Sequence, residues 1–279
     1  MLIAALSFAI MGVFVKQARR LPAWEIVFVR SLVNFVWLLP WALTQPVTTL
    51  FRKEPKALIL RGTAGCFSMF LYYYAIEHLR LADAAMLNHT SPLIVLVISA
   101  LFLGEKLSAL AVLFIALAFT GVAFILKPDF VNSGFSEVEQ LAGLAGFASA
   151  FVAAIAYISV KVATRSVSPR FIVFSFAAVA SLVSLPLALA DFVWPNTWEW
   201  LILFACGSTA SIAQTAMTLG YARLPASVAS PLLLVTVVFA ALFGWMFWGE
   251  IPDHWSILGF VMVAVGLTGA YRYRWRSPI

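Results

Sequence analysis

The chain has 279 residues, 63% of them hydrophobic and 11% charged, with a mean hydropathy of +0.99. A soluble domain carries about 25% charged residues, and a soluble fold of this size cannot hide so much apolar surface behind a wetted exterior. The net charge of +6 does not point to nucleic acid, because the basic residues sit in short clusters between apolar runs, as they do around membrane spans.

Hydropathy, punctuated by Pro, Gly and charge, predicts ten helices at roughly 1–17, 22–44, 56–78, 81–104, 108–127, 140–163, 169–190, 198–221, 224–248 and 254–273. At about 20 residues per span, little chain remains beyond short connections, so no separate soluble domain is expected. The first helix reaches only about 25 Å. It does not read as a removable signal peptide, since no basic residue precedes it and no small-residue cleavage site follows before Lys16.

The second helix carries Arg30, with Glu25 nearer one end. A spacing of five residues puts the two about 140° apart on a helix, a poor geometry for a direct pair. Arg30 is therefore expected either to meet a carboxylate in a cavity or to pair with another helix. In the third helix Tyr72, Tyr73 and Tyr74 point in most directions, so at least one faces inward, where its hydroxyl needs a partner.

The fourth helix, read as continuous over 81–104, lines up Ala82, Ala85, Asn88 or His89, Pro92 and Ser99 along one stripe. Small and polar side chains on that stripe fit either a cavity or a close helix approach. Pro92 supplies no N–H, which frees the carbonyl of Asn88. His89 is thus a candidate substrate contact, as a hydrogen-bond donor or a titrating group; the alternative is an inter-helix hydrogen bond that holds packing.

On the sixth helix Ala142, Gly146, Ser149, Ala153 and Ala156 form a small-residue stripe suited to packing, and Tyr157 and Lys161 follow near its end. On the eighth, Gln214, Met217, Thr218 and Tyr221 recur at helical spacing, with Gln214 near the centre. Cys66 and Cys206 both lie in apolar runs and read as packed free thiols.

Assigned by side, twelve Lys and Arg residues, Arg61 among them, fall on the side of the two termini, and five, including Lys16, on the other. This predicts cytoplasmic termini. Trp24, Trp194, Trp198, Trp200, Trp248 and Trp255 fall near the outer helix ends and read as belt residues.

Sliding the chain on itself by about 145 residues aligns Lys16 with Lys161, Gly62 with Gly207, Leu79 with Leu224, Gly121 with Gly266, and Gly104-Glu105 with Gly249-Glu250. Five spans per half is odd, so the second half enters the membrane from the opposite side. The expectation is an all-α membrane protein of ten helices, built as a 5+5 inverted-topology repeat around a central cavity, with halves at 1–139 and 140–279. Such repeats are a transporter device.

The segment Ala-Ile-Met-Gly-Val-Phe-Val-Lys at 9–16, Phe28-Val29-Arg30, Leu103-Gly104-Glu105-Lys106-Leu107-Ser108 and Trp248-Gly249-Glu250 resemble the EamA type of the drug/metabolite transporter superfamily. The chain departs from that pattern at Met11-Gly12, where Trp-Gly is frequent, and at Pro231, displaced from mid-helix. The resemblance implies a bacterial inner-membrane exporter of amino acids or other small metabolites. The candidate cavity residues are His89, Asn88, Tyr72, Tyr73, Arg30, Gln214, Tyr157 and Tyr221.

Glu25, Glu77, Asp83, Glu105 and Glu250 all lie near helix ends, so no carboxylate relay is evident. Efflux of drugs or quaternary-ammonium compounds is the alternative, with aromatic rings holding the cation. An enzyme is not expected: there is no G-x-S-x-G, no H-E-x-x-H, and His78, His89 and His254 occur singly. No metal or other cofactor is expected. The expected partners are a small-molecule substrate, amino acid or related metabolite, and the lipid bilayer; nucleic acid is not, and the chain is expected to be a monomer or weak homodimer.

Overall fold

The computed structural model describes residues 1–44, 54–102, 108–126, 137–190, 192–223, 232–233 and 235–273. Its helices are α1 (Leu2–Gln17), α2 (Ala23–Leu43), α3 (Pro55–His78), α4 (Leu81–Asn88), α5 (Ser91–Phe102), α6 (Ala109–Leu126), α7 (Glu137–Ala163), α8 (Pro169–Ala190), α9 (Thr197–Arg223), α10 (Val235–Trp248) and α11 (His254–Tyr273). Four of them, α2, α7, α8 and α9, are long and apolar enough to cross a membrane. Shorter apolar helices cover Leu2–Gln17, Ala109–Val122, Val235–Trp248 and His254–Ala270. Leu43, Leu182, Leu189 and Val238 are among the exposed apolar side chains, a surface suited to lipid rather than water.

The fourth predicted helix is not continuous. It breaks at His89–Thr90 into α4 and α5. His89 N–H still bonds to the Ala85 carbonyl, but Pro92 has no N–H to offer Asn88. Thr90 restarts the ladder: its carbonyl accepts the N–H groups of Leu93 and Ile94, and its hydroxyl turns back to the Leu87 carbonyl at 2.7 Å. The missing N–H of Pro92 and the Thr90 hydroxyl folded back onto Leu87 together mark the break.

The bundle is assembled by pairs. α1 runs along α9, α3 along α7, α2 along α8 and α6 along α11, while α4 is held between α7 and α10. The small-residue stripe of α7 is buried as expected; a Cβ at Gly146 would already crowd Leu87 and Ala75 at 3.1 and 3.2 Å. Cys66 and Cys206 are buried free thiols.

Near the α3–α4 turn, Lys16 is buried rather than lying in an exposed basic cluster. Its Nζ donates to the Leu79 carbonyl at 2.9 Å and pairs with Glu250, whose other oxygen accepts the Leu81 N–H at 3.0 Å. Gly249 makes this possible. At φ +65° it ends α10 in a left-handed conformation that suits glycine. The N–H groups of Gly249 and Glu250 then bond back to Trp245 and Gly244, turning the Glu250 side chain onto Lys16. The matching Gly104-Glu105-Lys106 segment lies outside the described residues, as do Pro231 and Leu224.

Candidate functional site

A cavity of about 50 Å³ lies where α1, α2, α3, α7, α8, α9 and the α4–α5 break converge. Phe8 and Met11 come from α1, Arg30 from α2, and Arg61, Gly65, Ser68, Met69, Tyr72 and Tyr73 from α3. Asn88 and His89 sit at the break, Ala153, Ala156 and Tyr157 on α7, Phe176 on α8 and Gln214 on α9. Small-molecule sites occupy about 300–1,000 Å³, so the cavity is small by that measure.

Seven of the sequence candidates line this space: Arg30, Tyr72, Tyr73, Asn88, His89, Tyr157 and Gln214. Tyr221 does not. It sits behind Tyr157, ring centroids 5.9 Å apart, in an apolar cluster with Met217 and Ile172.

Arg61 is the residue that the sequence reading misplaced. It is 3% exposed and lines the cavity, rather than anchoring at the membrane interface. Its Nη2 donates to Gln214 Oε1 at 2.8 Å, and its guanidinium lies 3.9 Å from the centroid of the Phe176 ring. Gly65 creates the space: a Cβ there would run into Arg61 Nη1 and come within 2.7 Å of the Phe176 ring. A readable signal existed, because Arg61, Gly65, Ser68 and Tyr72 follow helical spacing on one face of α3.

Arg30 is fully buried and reaches the same ring, its guanidinium 5.8 Å from the Phe176 centroid. Its Nη1 lies against Met69 Sδ, a weak acceptor. Arg30 Nε and Nη2, Arg61 Nε and His89 Nδ1 are buried without a hydrogen-bond partner among the described residues. A cation–π contact contributes about 2 kcal/mol when desolvated, whereas burying one ion costs several. The shared ring therefore offsets only part of the cost of two arginines.

The remaining polar groups are neutral and mostly tied to each other. Asn88 Nδ2 donates to Ser149 Oγ at 2.8 Å, Ser68 Oγ to the Ser149 carbonyl at 3.0 Å, and Tyr73 Oη to Met11 Sδ at 3.4 Å. None of the lining residues is Asp or Glu. Among the described residues no cluster of His, Cys, Asp or Glu is arranged to hold a metal. The arrangement can bind and orient an acidic solute, and it offers no nucleophile–base pair.

Comparison with known proteins gives a family. The chain matches the EamA-like transporter family over residues 1–127 and 140–272. It is 36% identical over 265 residues to a pseudopaline exporter of Pseudomonas aeruginosa, covering 94% of this chain and 91% of that one. A mouse protein, solute carrier family 35 member G1, is 26% identical over 98% of this chain and 77% of its own length. An S-adenosylmethionine uptake transporter of Rickettsia bellii is 24% identical over 88% and 82% respectively. A solved crystal structure superimposes with a TM-score of 0.66 at 18% identity, covering 96% of both chains, which supports the fold alone. The family and these named transporters agree with the expectation that the chain is not an enzyme. The chain belongs to the EamA-like transporter family, and it is a multi-pass membrane protein.

Proposed function

We propose that this member of the EamA-like transporter family is a secondary exporter of small metabolites, amino acids and their relatives first, working by alternating access across the bacterial inner membrane. The observation that carries this reading is the polar cavity inside the helix bundle, whose walls come from α1–α4 on one side and α7–α9 on the other. Arg30, Arg61, Asn88, His89, Tyr72, Tyr73, Tyr157 and Gln214 are its substrate-facing groups, and Tyr221 supports Tyr157 from behind. Export as the direction follows the Pseudomonas relative; the Rickettsia relative is named for uptake.

Two inverted halves, 1–139 and 140–279, are part of the proposal. Support comes from packing that recurs under the sequence offset: α1 on α9 matches α7 on α3. A Cβ at Gly62 would collide with Val179, and one at Gly207 with Val33. Cytoplasmic termini remain the orientation we assign, from the distribution of Lys and Arg. The alternative of quaternary-ammonium efflux finds little support in a cavity with two guanidinium groups and no carboxylate.

The test is counterflow in proteoliposomes preloaded with single unlabelled amino acids. Saturable exchange is the expected result. Linear, unsaturable flux would indicate a channel and overturn the reading.

A further inference from the structure

Building on the transporter reading, we infer that the cavity takes a metabolite with two acidic groups, and that Arg30 and Arg61 are its paired anchors. Both guanidinium groups face one ring, Phe176, at 5.8 and 3.9 Å. Neither forms an ion pair among the described residues, and the lining holds no Asp or Glu. A guanidinium stays protonated under all physiological conditions. Among the described residues the cavity therefore carries two positive charges and no fixed negative one.

Buried cations are normally matched by an anion, and Lys16 in this same chain has its Glu250. The missing partner in the cavity is the cargo. A neutral amino acid brings one carboxylate together with an ammonium that repels both arginines, so it leaves the site undercompensated. A solute with two acidic groups can meet both cations. The unpartnered N–H groups of Arg30 and Arg61 are the donors for it, and His89 Nδ1 and the Gln214 amide border the same space. Guanidinium forks match carboxylate and phosphate alike, so the shared chemistry is a dianion: a dicarboxylate or a phosphate monoester.

The experiment is counterflow with the purified full chain in proteoliposomes, using aspartate, succinate, glycerol phosphate, leucine and tetraphenylphosphonium as separate probes. The expected result is saturable exchange of aspartate, succinate or glycerol phosphate at least tenfold faster than that of leucine. Which of these exchanges tells carboxylate from phosphate. Gln214→Glu places a carboxylate on Arg61 without deleting a cation and should lower that preference tenfold or more. Arg61→Lys, which keeps the charge but loses the guanidinium fork, should lower it less than Gln214→Glu does; both variants are checked for native elution on size exclusion.

Leucine exchanging as fast as the dianions, or an unchanged preference in a folded Gln214→Glu, overturns this inference and leaves the transporter reading intact. Exchange of tetraphenylphosphonium alone overturns the inference and the amino-acid reading. Silence of every probe with folded protein overturns the inference and the transporter reading together.

Discussion

Among the described residues two places bury Lys or Arg side chains, and they treat them in opposite ways. At the α3–α4 turn, Lys16 has a carboxylate, a carbonyl and the face of Trp248 at 5.4 Å. In the cavity, Arg30 and Arg61 share one aromatic ring, Arg61 also has Gln214, and N–H groups are left over among the described residues. The first arrangement is complete in itself and holds helices together. The second is incomplete among the described residues, which is why we assign its missing partner to a solute. Burial alone does not separate a structural charge from a functional one; the fate of its counter-charge does.

The largest effect should come from breaking the complete site. Glu250→Gln leaves Lys16 buried and unpaired, and should destabilise the protein by about 3 kcal/mol, read as a fall in thermal unfolding temperature in detergent. Adding Lys16→Met to that variant should recover at least half of the loss. If the double variant is less stable than Glu250→Gln, Lys16 does not depend on its carboxylate and the contrast fails.

Gly65→Ala should come next, costing about 1–3 kcal/mol through crowding of Arg61 and Phe176. Transport should fall with it, because Arg61 is pushed off the ring while every charge is kept. Unaltered exchange kinetics would show that the stacked geometry is dispensable.

Removing an unpaired cation should behave differently again. Arg30→Met should shift stability by no more than about 1 kcal/mol, in the stabilising direction, while abolishing saturable counterflow. A large loss of stability would mean that Arg30 already has all the partners it needs. The smallest effect belongs to Arg20→Ala. Its pair with Glu199, at 2.5 and 2.6 Å, is half exposed on the arginine side, and such pairs are screened by salt. Glu199 holds the Arg20 charge in place and pushes its pKa up, so the contact persists across the physiological range. An unfolding temperature as sensitive to this change as to Glu250→Gln would erase the distinction between surface and buried pairs.

Much of this was legible from residue order. Hydropathy located most helix ends within a few residues, as with α8 at Pro169–Ala190 and α11 at His254–Tyr273, because lipid-facing apolar runs are long and their Gly, Pro and charge boundaries sharp. Arg30, His89 and Gln214 were found by depth, since a polar group far from a span end has few reasons to be there. Arg61 was missed because it lies only six residues into α3, close to Lys56, where a basic residue ordinarily marks an interface. Its burial depends on Gly65 and on Phe176 from another helix, a contact that no local pattern announces. Phe8, Met11, Met69 and Phe176 were unreadable for the same reason: apolar residues in apolar helices carry no signal of which face meets a cavity. The break at His89 needed two facts together, the missing N–H of Pro92 and the Thr90 hydroxyl that turns back to the Leu87 carbonyl.

That break has a mechanical consequence. α4 is eight residues, about 12 Å of stiff rod. Leu81 at one end is bonded to Glu250, and Asn88 and His89 at the other end border the cavity. Separate from α5 and packed between α7 and α10, such a rod ties the position of His89 directly to that of Leu81. The chain thus has a short rigid link joining the cavity to the ion pair between Lys16 and Glu250.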